Sequence, residues 1–229
     1  MKYQVLLVSA LAICFGYPAN AETEIATDAQ RFSYAVGFQV GQQLQQRLTQ
    51  EGMELDAVAF VEAIQDVLNG NDPKLALEEM QAAYQAGITE RQQAREQIAG
   101  ENLEAGQAFL EENKAKEGIV ETESGMQYRV MQEGTGETPA VTDTVIVHYE
   151  GKLINGTKFD SSYARGTPAT FPVNGIIPGW QEALQLMKVG AIWEVFIPAE
   201  LAYGTQGAAA GGIGPNETLV FKVELIEVK

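Results

Sequence analysis

The chain has 229 residues, 45% hydrophobic and 20% charged, which is the balance of an ordinary globular protein of one or two domains. Its 31 acidic and 15 basic residues give a net charge of −16, which would repel phosphate backbones and anionic membrane surfaces and so disfavours nucleic-acid and lipid partners. A single cysteine and a single histidine leave no credible zinc cluster.

The first 21 residues have the pattern of a signal peptide. Lys2 precedes an apolar run, residues 5–15, that is too short to span a membrane, and Ala19-Asn20-Ala21 fits the small-x-small cleavage pattern. Cleavage there would release a periplasmic protein with no transmembrane anchor, and association with the outer membrane or cell surface stays open. A lipoprotein signal at Cys14 is disfavoured because a bulky residue precedes it. Loss of this cysteine would leave the mature chain without a disulfide.

Residues 22–72 are predicted to form a small all-α domain of two helices. Glu51-Gly52 would end the first helix, Asp56 would begin the second, and Gly70 would end it. Apolar residues recur at helical spacing in both segments. They are Phe32, Ala35, Val36, Val40, Leu44 and Leu48 in the first helix and Phe60, Ile64, Val67 and Leu68 in the second.

This small domain holds too few apolar residues for a robust core of its own. A second copy of the chain would supply the missing apolar contacts, which predicts a dimerisation domain. Gly37 and Gly41 lie four apart on one helix face and would let two helix backbones approach closely. The alternative is that both glycines pack inside one monomer.

Residues 73–117 are predicted to form one long connecting helix. Asp72-Pro73 has the pattern of an N-cap followed by proline at the first helical position. Gly87 and Gly100 are unfavourable in a helix interior and argue against continuity. Because residues 89–102 are almost wholly polar, we expect a solvent-exposed shaft that joins two separate bodies.

Residues 118–229 are predicted to form an α+β domain, an antiparallel sheet with one short helix on its concave face. Residues 145–149 alternate as a half-buried strand, and Asn155-Gly156 is a strong hairpin signal in which both positions are expected to have positive φ. Pro178 would begin the helix and Gly190 would end it. Further strands are expected at 125–130, around Phe159 and Phe171, at 192–197 and at 219–225, with loops at 134–139, 165–168 and 201–214.

An aromatic pocket is expected between this helix and the sheet. Its predicted walls are Tyr149, Phe159, Trp180, Tyr203 and Phe221, with Ile176 and Ile177. Asp160 follows Phe159 on the returning strand, and a carboxylate in apolar surroundings is costly unless it is hydrogen-bonded. The Tyr149 hydroxyl is the local donor and Arg165 a candidate ion partner. A plain core would not place a carboxylate there, so the combination indicates a ligand pocket.

The sequence offers little other chemistry. His148 is out of phase with Tyr149 and should face away from the pocket. The chain has no P-loop motif, and the glycines of residues 204–214 do not open a helix after a strand, so no cofactor or metal is predicted. A dry pocket suits a reaction that breaks no σ bond, because such a reaction needs no acid, base or nucleophile.

Five motifs occur in order between residues 120 and 229. They are Val-His-Tyr-x-Gly from 147, Gly-x-x-Phe-Asp-Ser-Ser from 156, Ile-x-Gly-Trp from 177, Ala-Tyr-Gly from 202 and Thr-Leu-Val-Phe from 218. Together they resemble the FKBP-type peptidyl-prolyl cis-trans isomerases. The preceding signal peptide, helical domain and long helix are similar to the macrophage infectivity potentiator branch of that family.

The resemblance implies a peptidyl-prolyl cis-trans isomerase that acts on proline-containing and unfolded exported polypeptides. It also implies a V-shaped homodimer joined through the N-terminal helices, and inhibition by macrolide immunosuppressants. Two alternatives stay open: a holdase chaperone in which catalysis is secondary, and a peptide-binding module with little turnover.

The resemblance also implies roles for individual residues. Trp180 would lie beneath the proline ring, and the backbone N–H of Ile177 and the hydroxyl of Tyr203 would donate to the substrate. Asp160 would polarise the substrate carbonyl or organise the pocket through its neighbours. The wall residues would be Tyr149, Phe159 and Phe221, with further substrate contacts from Arg165, Phe171, Ile176 and Ile213.

The chain departs from the best-known single-domain members of the family in two places. Ala169 stands where they have a wall aromatic, although Phe171 lies two residues further on. The segment after Tyr203 lacks their histidine. Both departures bear on sequence preference and macrolide affinity rather than on activity.

Overall fold

The structure is a computed structural model that describes residues 25–51 and 53–229. The predicted signal peptide lies outside these ranges. The helices within them are α1 Asp28–Glu51, α2 Ala57–Asn69, α3 Leu77–Lys114, α4 Ser162–Arg165 and α5 Pro178–Leu186. The strands are β1 Ile119–Glu121, β2 Gln127–Gln132, β3 Thr144–Leu153, β4 Lys158–Ser161, β5 Ala169–Pro172, β6 Ile192–Ile197 and β7 Leu219–Val228.

The chain divides into two compact units, and the first ends at Arg47. Its described part is most of α1, which exposes a series of apolar side chains, Phe32, Tyr34, Val36, Phe38 and Val40. The second unit begins at Leu48 and contains all the other elements. Across both described ranges, none of the helices combines the length and apolar character needed to cross a membrane.

The predicted ends of α2 are confirmed. Asp56 accepts a hydrogen bond from the backbone N–H of Ala59 at 2.8 Å, which satisfies one of the unpaired donors of the first turn. Gly70 ends the helix in the left-handed conformation, with φ 69°. Among the described residues, the apolar stripe of α2 remains exposed to solvent. The exposed fractions of Val58, Val67 and Leu68 are 78%, 78% and 80%.

The predicted start of α3 at Pro73 is wrong, because the helix begins at Leu77. Lys74, in the connection before it, lies 3.3 Å from the Asp66 carboxylate of α2 and also pairs with Glu62. The Glu79 carboxylate accepts the backbone N–H of Ala76 at 2.8 Å and so caps the first turn. From there the helix runs unbroken through its three interior glycines for 38 residues.

The second half of α3 is not the free shaft that its polar sequence predicts. The side-chain amide of Asn102 donates to the carbonyl of Pro215 at 2.8 Å, and Asn216 donates to the carbonyl of Ala99 at 3.1 Å. Nearer its end, the helix covers the outer face of the sheet, where Phe109 lies 5.9 Å from Phe196 between ring centroids. Polar residues there bond to loop and strand atoms, which amphipathic periodicity does not reveal.

The sheet has seven strands in the order β1-β2-β6-β7-β3-β4, with β5 also paired to β3. All pairs are antiparallel, as predicted. The core lies between the sheet and α5, which contributes the buried Trp180, Ala183 and Leu184. The short edge strand β1 was not predicted. Helix α4 precedes the predicted loop at 165–168 and includes its first residue, and α5 ends at Leu186 before Gly190.

The hairpin between β3 and β4 forms where predicted but with a different turn. Gly156 has φ 87°, whereas Asn155 has a negative φ, so one positive φ suffices rather than two. Gly156 donates to the carbonyl of Leu153 at 2.9 Å, and the N–H of Leu153 bonds to the carbonyl of Thr157 at 2.9 Å. This is a type I turn followed by a left-handed glycine.

Gly106 permits the close approach of α3 to the segment before β7. A Cβ at Gly106 would lie 2.3 Å from Oγ1 and 3.1 Å from Cβ of the buried Thr218. Gly106→Ala should therefore destabilise the protein by about 1–3 kcal/mol through overpacking. A Cβ at Gly100, on the same helix, would meet nothing within 4 Å, so Gly100→Ala should stabilise by about 0.5–1 kcal/mol. Thermal unfolding measures both, and equal stability of the two variants would contradict the contact.

Candidate active site

A cavity of about 430 Å³ opens between α5 and the sheet. All seven residues predicted to be catalytic line it, together with Phe171 and Ile176 from the predicted substrate contacts. The lining residues are Tyr149, Phe159, Asp160, Phe171, Gly175, Ile176, Ile177, Trp180, Tyr203 and Phe221. Gly175 was not predicted, since a glycine has no side chain whose chemistry signals a site.

Trp180 is the centre of the aromatic lining. Three rings meet the indole at nearly right angles: Tyr149 at 5.3 Å, Phe221 at 5.3 Å and Phe171 at 5.9 Å between centroids. Edge-to-face contacts of this kind are favourable because the positive ring edge meets the negative ring face. The indole is 5% exposed, so it is held as a fixed surface at the base of the cavity.

Gly151 explains the glycine of the first motif. It lies on β3, and a Cβ there would be 2.6 Å from the Phe159 ring and 2.7 Å from the Phe221 ring. These two rings meet edge to face with centroids 5.6 Å apart. The absent side chain lets both aromatic rings lie directly against the main chain of the sheet, a role that sequence reasoning missed.

The expected partners of Asp160 are confirmed. One carboxylate oxygen, Oδ2, accepts a hydrogen bond from the hydroxyl of Tyr149. The other oxygen, Oδ1, accepts hydrogen bonds from Nη1 of Arg165 and from the backbone N–H of Ser161, the latter at 2.7 Å. Arg165 also donates to the Tyr149 hydroxyl at 3.0 Å. Arg165 does not itself line the cavity. It lies at the end of α4 and holds the polar edge of the cavity from outside.

This network fixes the protonation states of its members. Burial alone would raise the pKa of the Asp160 carboxyl, but hydrogen bonds from Tyr149 and Arg165 and the charge of Arg165 hold the pKa below its usual range. Burial, with the adjacent Asp160 carboxylate, raises the pKa of the Tyr149 phenol. Asp160 is therefore a carboxylate and Tyr149 a neutral donor at neutral pH.

His148 faces away from the cavity, as its position in the strand predicts. Its ring stacks on Tyr163 at 4.7 Å, and its Nδ1 lies 2.9 Å from the hydroxyl oxygen of Ser162. That hydroxyl, fully buried, also accepts the backbone N–H of Tyr149 at 2.7 Å. Ser162 thus fixes the main chain beneath a cavity residue, a contact between β3 and α4 that no sequence pattern signals.

Besides Arg165, a second predicted substrate contact does not line the cavity. Ile213 is 5% exposed, belongs to the core and has its backbone bridged to Ala208, and it is not one of the residues that line the cavity. The glycine- and alanine-rich loop folds into short turns that point this side chain inward. Near Ala169, the aromatic wall comes from Phe171.

Comparison with known proteins decides the family. Residues 135–226 match the model described as FKBP-type peptidyl-prolyl cis-trans isomerase, and residues 29–130 match the domain amino terminal to such isomerases. The peptidyl-prolyl cis-trans isomerase Mip of Coxiella burnetii is 42% identical over 235 residues, which cover 100% of this chain and 99% of that protein. This chain belongs to the FKBP-type peptidyl-prolyl cis-trans isomerases.

Other members of the FKBP-type family match over nearly their whole length. Outer membrane protein MIP of Legionella longbeachae is 41% identical, covering 100% of this chain and 98% of that protein. The crystal structure of FkpA from Escherichia coli has a TM-score of 0.62 and 38% identity, covering 90% of this chain and 98% of that one. The protein is thus an isomerase of X-Pro peptide bonds with an FKBP-type C-terminal domain and a helical N-terminal region.

The protonation states of the network predict a flat pH profile for this isomerase. Asp160, with its lowered pKa, stays ionised above about pH 5, and Tyr149, with its raised pKa, stays neutral below about pH 9. Turnover of a short X-Pro peptide should be constant between these limits. On the acid side it should fall as the pH drops through the lowered pKa of Asp160, where the stability contributed by the carboxylate is also lost. Exchange NMR measures the rate, and an inflection near pH 7 would contradict the assignment.

Proposed function

We propose that this isomerase catalyses cis-trans isomerisation of X-Pro peptide bonds in exported polypeptides, and that the reaction takes place in the cavity above Trp180. The observation that supports the site is the combination of an apolar, ring-lined cavity with one fully hydrogen-bonded carboxylate at its edge. Such a cavity would bind an apolar proline ring, and hydrogen bonds hold its carboxylate in the ionised form rather than poising it to exchange a proton near neutral pH. Its chemistry therefore fits bond rotation rather than bond cleavage.

The cavity would lower the barrier by changing the surroundings of the amide. Planar peptide bonds are held by resonance, with a barrier of about 18–20 kcal/mol. The planar amide is more polar than the twisted one, so moving it from water into an apolar cavity raises the free energy of the planar form more. Contacts to the proline ring and flanking side chains supply that cost.

One backbone donor and one side-chain donor are available to hold the substrate. The N–H of Ile177 has no acceptor in the part of the chain that the structure describes, and the preceding peptide is fixed because Gln181 donates to the carbonyl of Ile176 at 2.7 Å. The hydroxyl of Tyr203 is likewise without a protein partner in the described ranges, and the side chain is half exposed beside the cavity. We assign the Ile177 N–H and the Tyr203 hydroxyl to substrate carbonyls.

Asp160 organises the cavity in this proposal. Both of its oxygens already accept hydrogen bonds from Tyr149, Arg165 and Ser161. A carboxylate occupied in this way is poorly placed to polarise a substrate carbonyl directly. Its charge instead orients the Tyr149 ring, which forms part of the wall against the indole.

Asp160→Asn tests this role. The variant removes the charge that holds Tyr149 and Arg165, so kcat/KM for a short X-Pro peptide should fall about tenfold, since hydrogen bonds to charged groups contribute about 1.5–3 kcal/mol. Glu133→Gln is the matched control, because Glu133 is exposed and outside the cavity lining. Unchanged turnover in the folded Asp160→Asn variant would remove Asp160 from the site. Displacement of a fluorescent macrolide, measured in parallel, tests whether these inhibitors occupy the same cavity.

We further propose that the mature protein works in the periplasm as a homodimer joined through its N-terminal helices. The support is the exposed apolar surface of α2, above all Val58, Val67 and Leu68, and the exposed apolar series of α1. Apolar patches of this extent on a soluble chain mark interaction surfaces. Apolar side chains of α1 and α2 that this interface leaves exposed would let the dimer hold unfolded exported chains, so a holdase chaperone role accompanies the isomerase activity in this proposal.

A charge on the exposed stripe of α2 separates these roles. Val67→Glu should convert the dimer to a monomer in sedimentation equilibrium, because a carboxylate buried in an apolar interface loses its hydration. Gln65→Glu, an equal charge on an exposed polar position of the same helix, should leave the dimer intact. Turnover of a short peptide should be unchanged in both, whereas suppression of aggregation should fall in the monomer. A Val67→Glu protein that remains dimeric would exclude this stripe as the interface.

A further inference from the structure

Helix α3 contacts the loop that carries Tyr203 into the cavity. This loop, residues 204–216, follows Tyr203 directly and returns toward β7. It is rich in glycine and alanine, and Ile213 is its one large apolar side chain that is buried in the core. The part of the loop that follows Tyr203 has no such anchor, so hydrogen bonds to α3 help to set its conformation.

Arg95 binds the beginning of this loop. One guanidinium nitrogen, Nη2, donates to the carbonyl of Gln206 at 2.8 Å, to the carbonyl of Thr205 at 3.3 Å and to Oε1 of Gln206 at 3.4 Å. These acceptors lie in the short 3-10 turn Gly204–Gln206, which starts at the residue after Tyr203. The charged guanidinium of Arg95, hydrogen-bonded to these three oxygens, holds the turn in place. This turn determines where the Tyr203 side chain points.

The end of the loop is tied to the same helix and to its own beginning. Asn216, with φ 55°, donates its backbone N–H to the carbonyl of Gly204 at 2.8 Å and its side-chain amide to the carbonyl of Ala99 at 3.1 Å. Asn102 adds a bond to the carbonyl of Pro215 at 2.8 Å. Both ends of the loop are thus bonded to consecutive turns of α3.

Helix α3 is itself bonded to the sheet, so its hydrogen bonds to the loop can hold the loop in a fixed position relative to the cavity. Asn113 of α3 is buried and donates to Gln127 of β2 at 3.0 Å, and Gln127 donates back to the carbonyl of Leu110 at 2.9 Å. Together with the contact of Gly106 on Thr218, these bonds fix the helix to the sheet.

We propose that Arg95 is a positioning residue of the isomerase, which acts by holding the 204–216 loop and through it the hydroxyl of Tyr203. The inference rests on the substrate-binding role proposed for Tyr203. It extends the working site to a residue of the long helix, well before the C-terminal domain match that starts at residue 135. Activity then depends on the helix as well as on the domain that contains the cavity.

A double-mutant cycle on the full mature chain tests this proposal. The variants are Arg95→Met, Tyr203→Phe and their combination, assayed for kcat and KM on a short X-Pro peptide. Arg91→Met is the matched control, because Arg91 lies one turn earlier on the same helix and donates to the carbonyl of Gly87 within α3 rather than to the loop. Thermal unfolding of each variant accompanies the assay.

We expect Arg95→Met to lower kcat/KM about three- to tenfold, the size typical of residues that act through a neighbour. Arg91→Met should leave it unchanged. In the Tyr203→Phe background, the same Arg95 substitution should have almost no further effect, because the hydroxyl that it positions is gone. A merely structural role would not produce this loss of effect in the double variant.

Other results would overturn the proposal in distinguishable ways. If Tyr203→Phe lowers turnover but Arg95→Met does not, the positioning role is wrong and the role of Tyr203 stands. If Tyr203→Phe has full activity, the proposed role of Tyr203 fails and the inference fails with it. An equal loss in Arg91→Met, or an undiminished effect of Arg95→Met in the double variant, would show that Arg95 acts on the helix generally and not through Tyr203.

Discussion

A carboxylate at the edge of an apolar cavity has to be hydrogen-bonded, and much of the surrounding structure meets that requirement. Asp160 pairs with Gly151 across the β3–β4 hairpin, and Tyr149 lies two residues earlier on the same strand, so its hydroxyl reaches the carboxylate. Helix α4 then brings Arg165 back over the same group. The bulged hairpin and the single helical turn are the local structures that place these three polar groups together at the edge of the cavity.

The cavity could be predicted from the sequence because its residues are local and periodic. Tyr149 and Phe159 are fixed by strand alternation across one hairpin, and Trp180 by a proline-started helix. These patterns depend on a few neighbouring residues, and the structure that they predict agrees with the final fold. Ile213 was misplaced for the opposite reason. It lies in a loop without periodicity, where the bridge to Ala208 and not the sequence pattern decides which way the side chain points.

The long helix shows what single-sequence reasoning could not supply. Its polar middle has the composition of a solvated face, and hydrogen bonds from Asn102 and Arg95 to main-chain carbonyls leave no apolar signature. The start of the helix was misjudged because Asp72-Pro73 has good capping chemistry, yet Lys74 is paired with α2 and Glu79 caps a later turn. In both cases, side-chain bonds that the local pattern does not contain outweighed local propensity.

Gly151 has a consequence for how members of such a family could diverge. The rings of Phe159 and Phe221 lie directly on main-chain atoms of the sheet, so this wall has no side chain behind it that a mutation could shorten. Any substitution at Gly151 would only fill the cavity. Substitution of Gly151 can therefore narrow the binding site at this wall but cannot widen it, and changes that admit a different neighbour of proline arise more readily at the rim, where loops and half-buried side chains tolerate exchange.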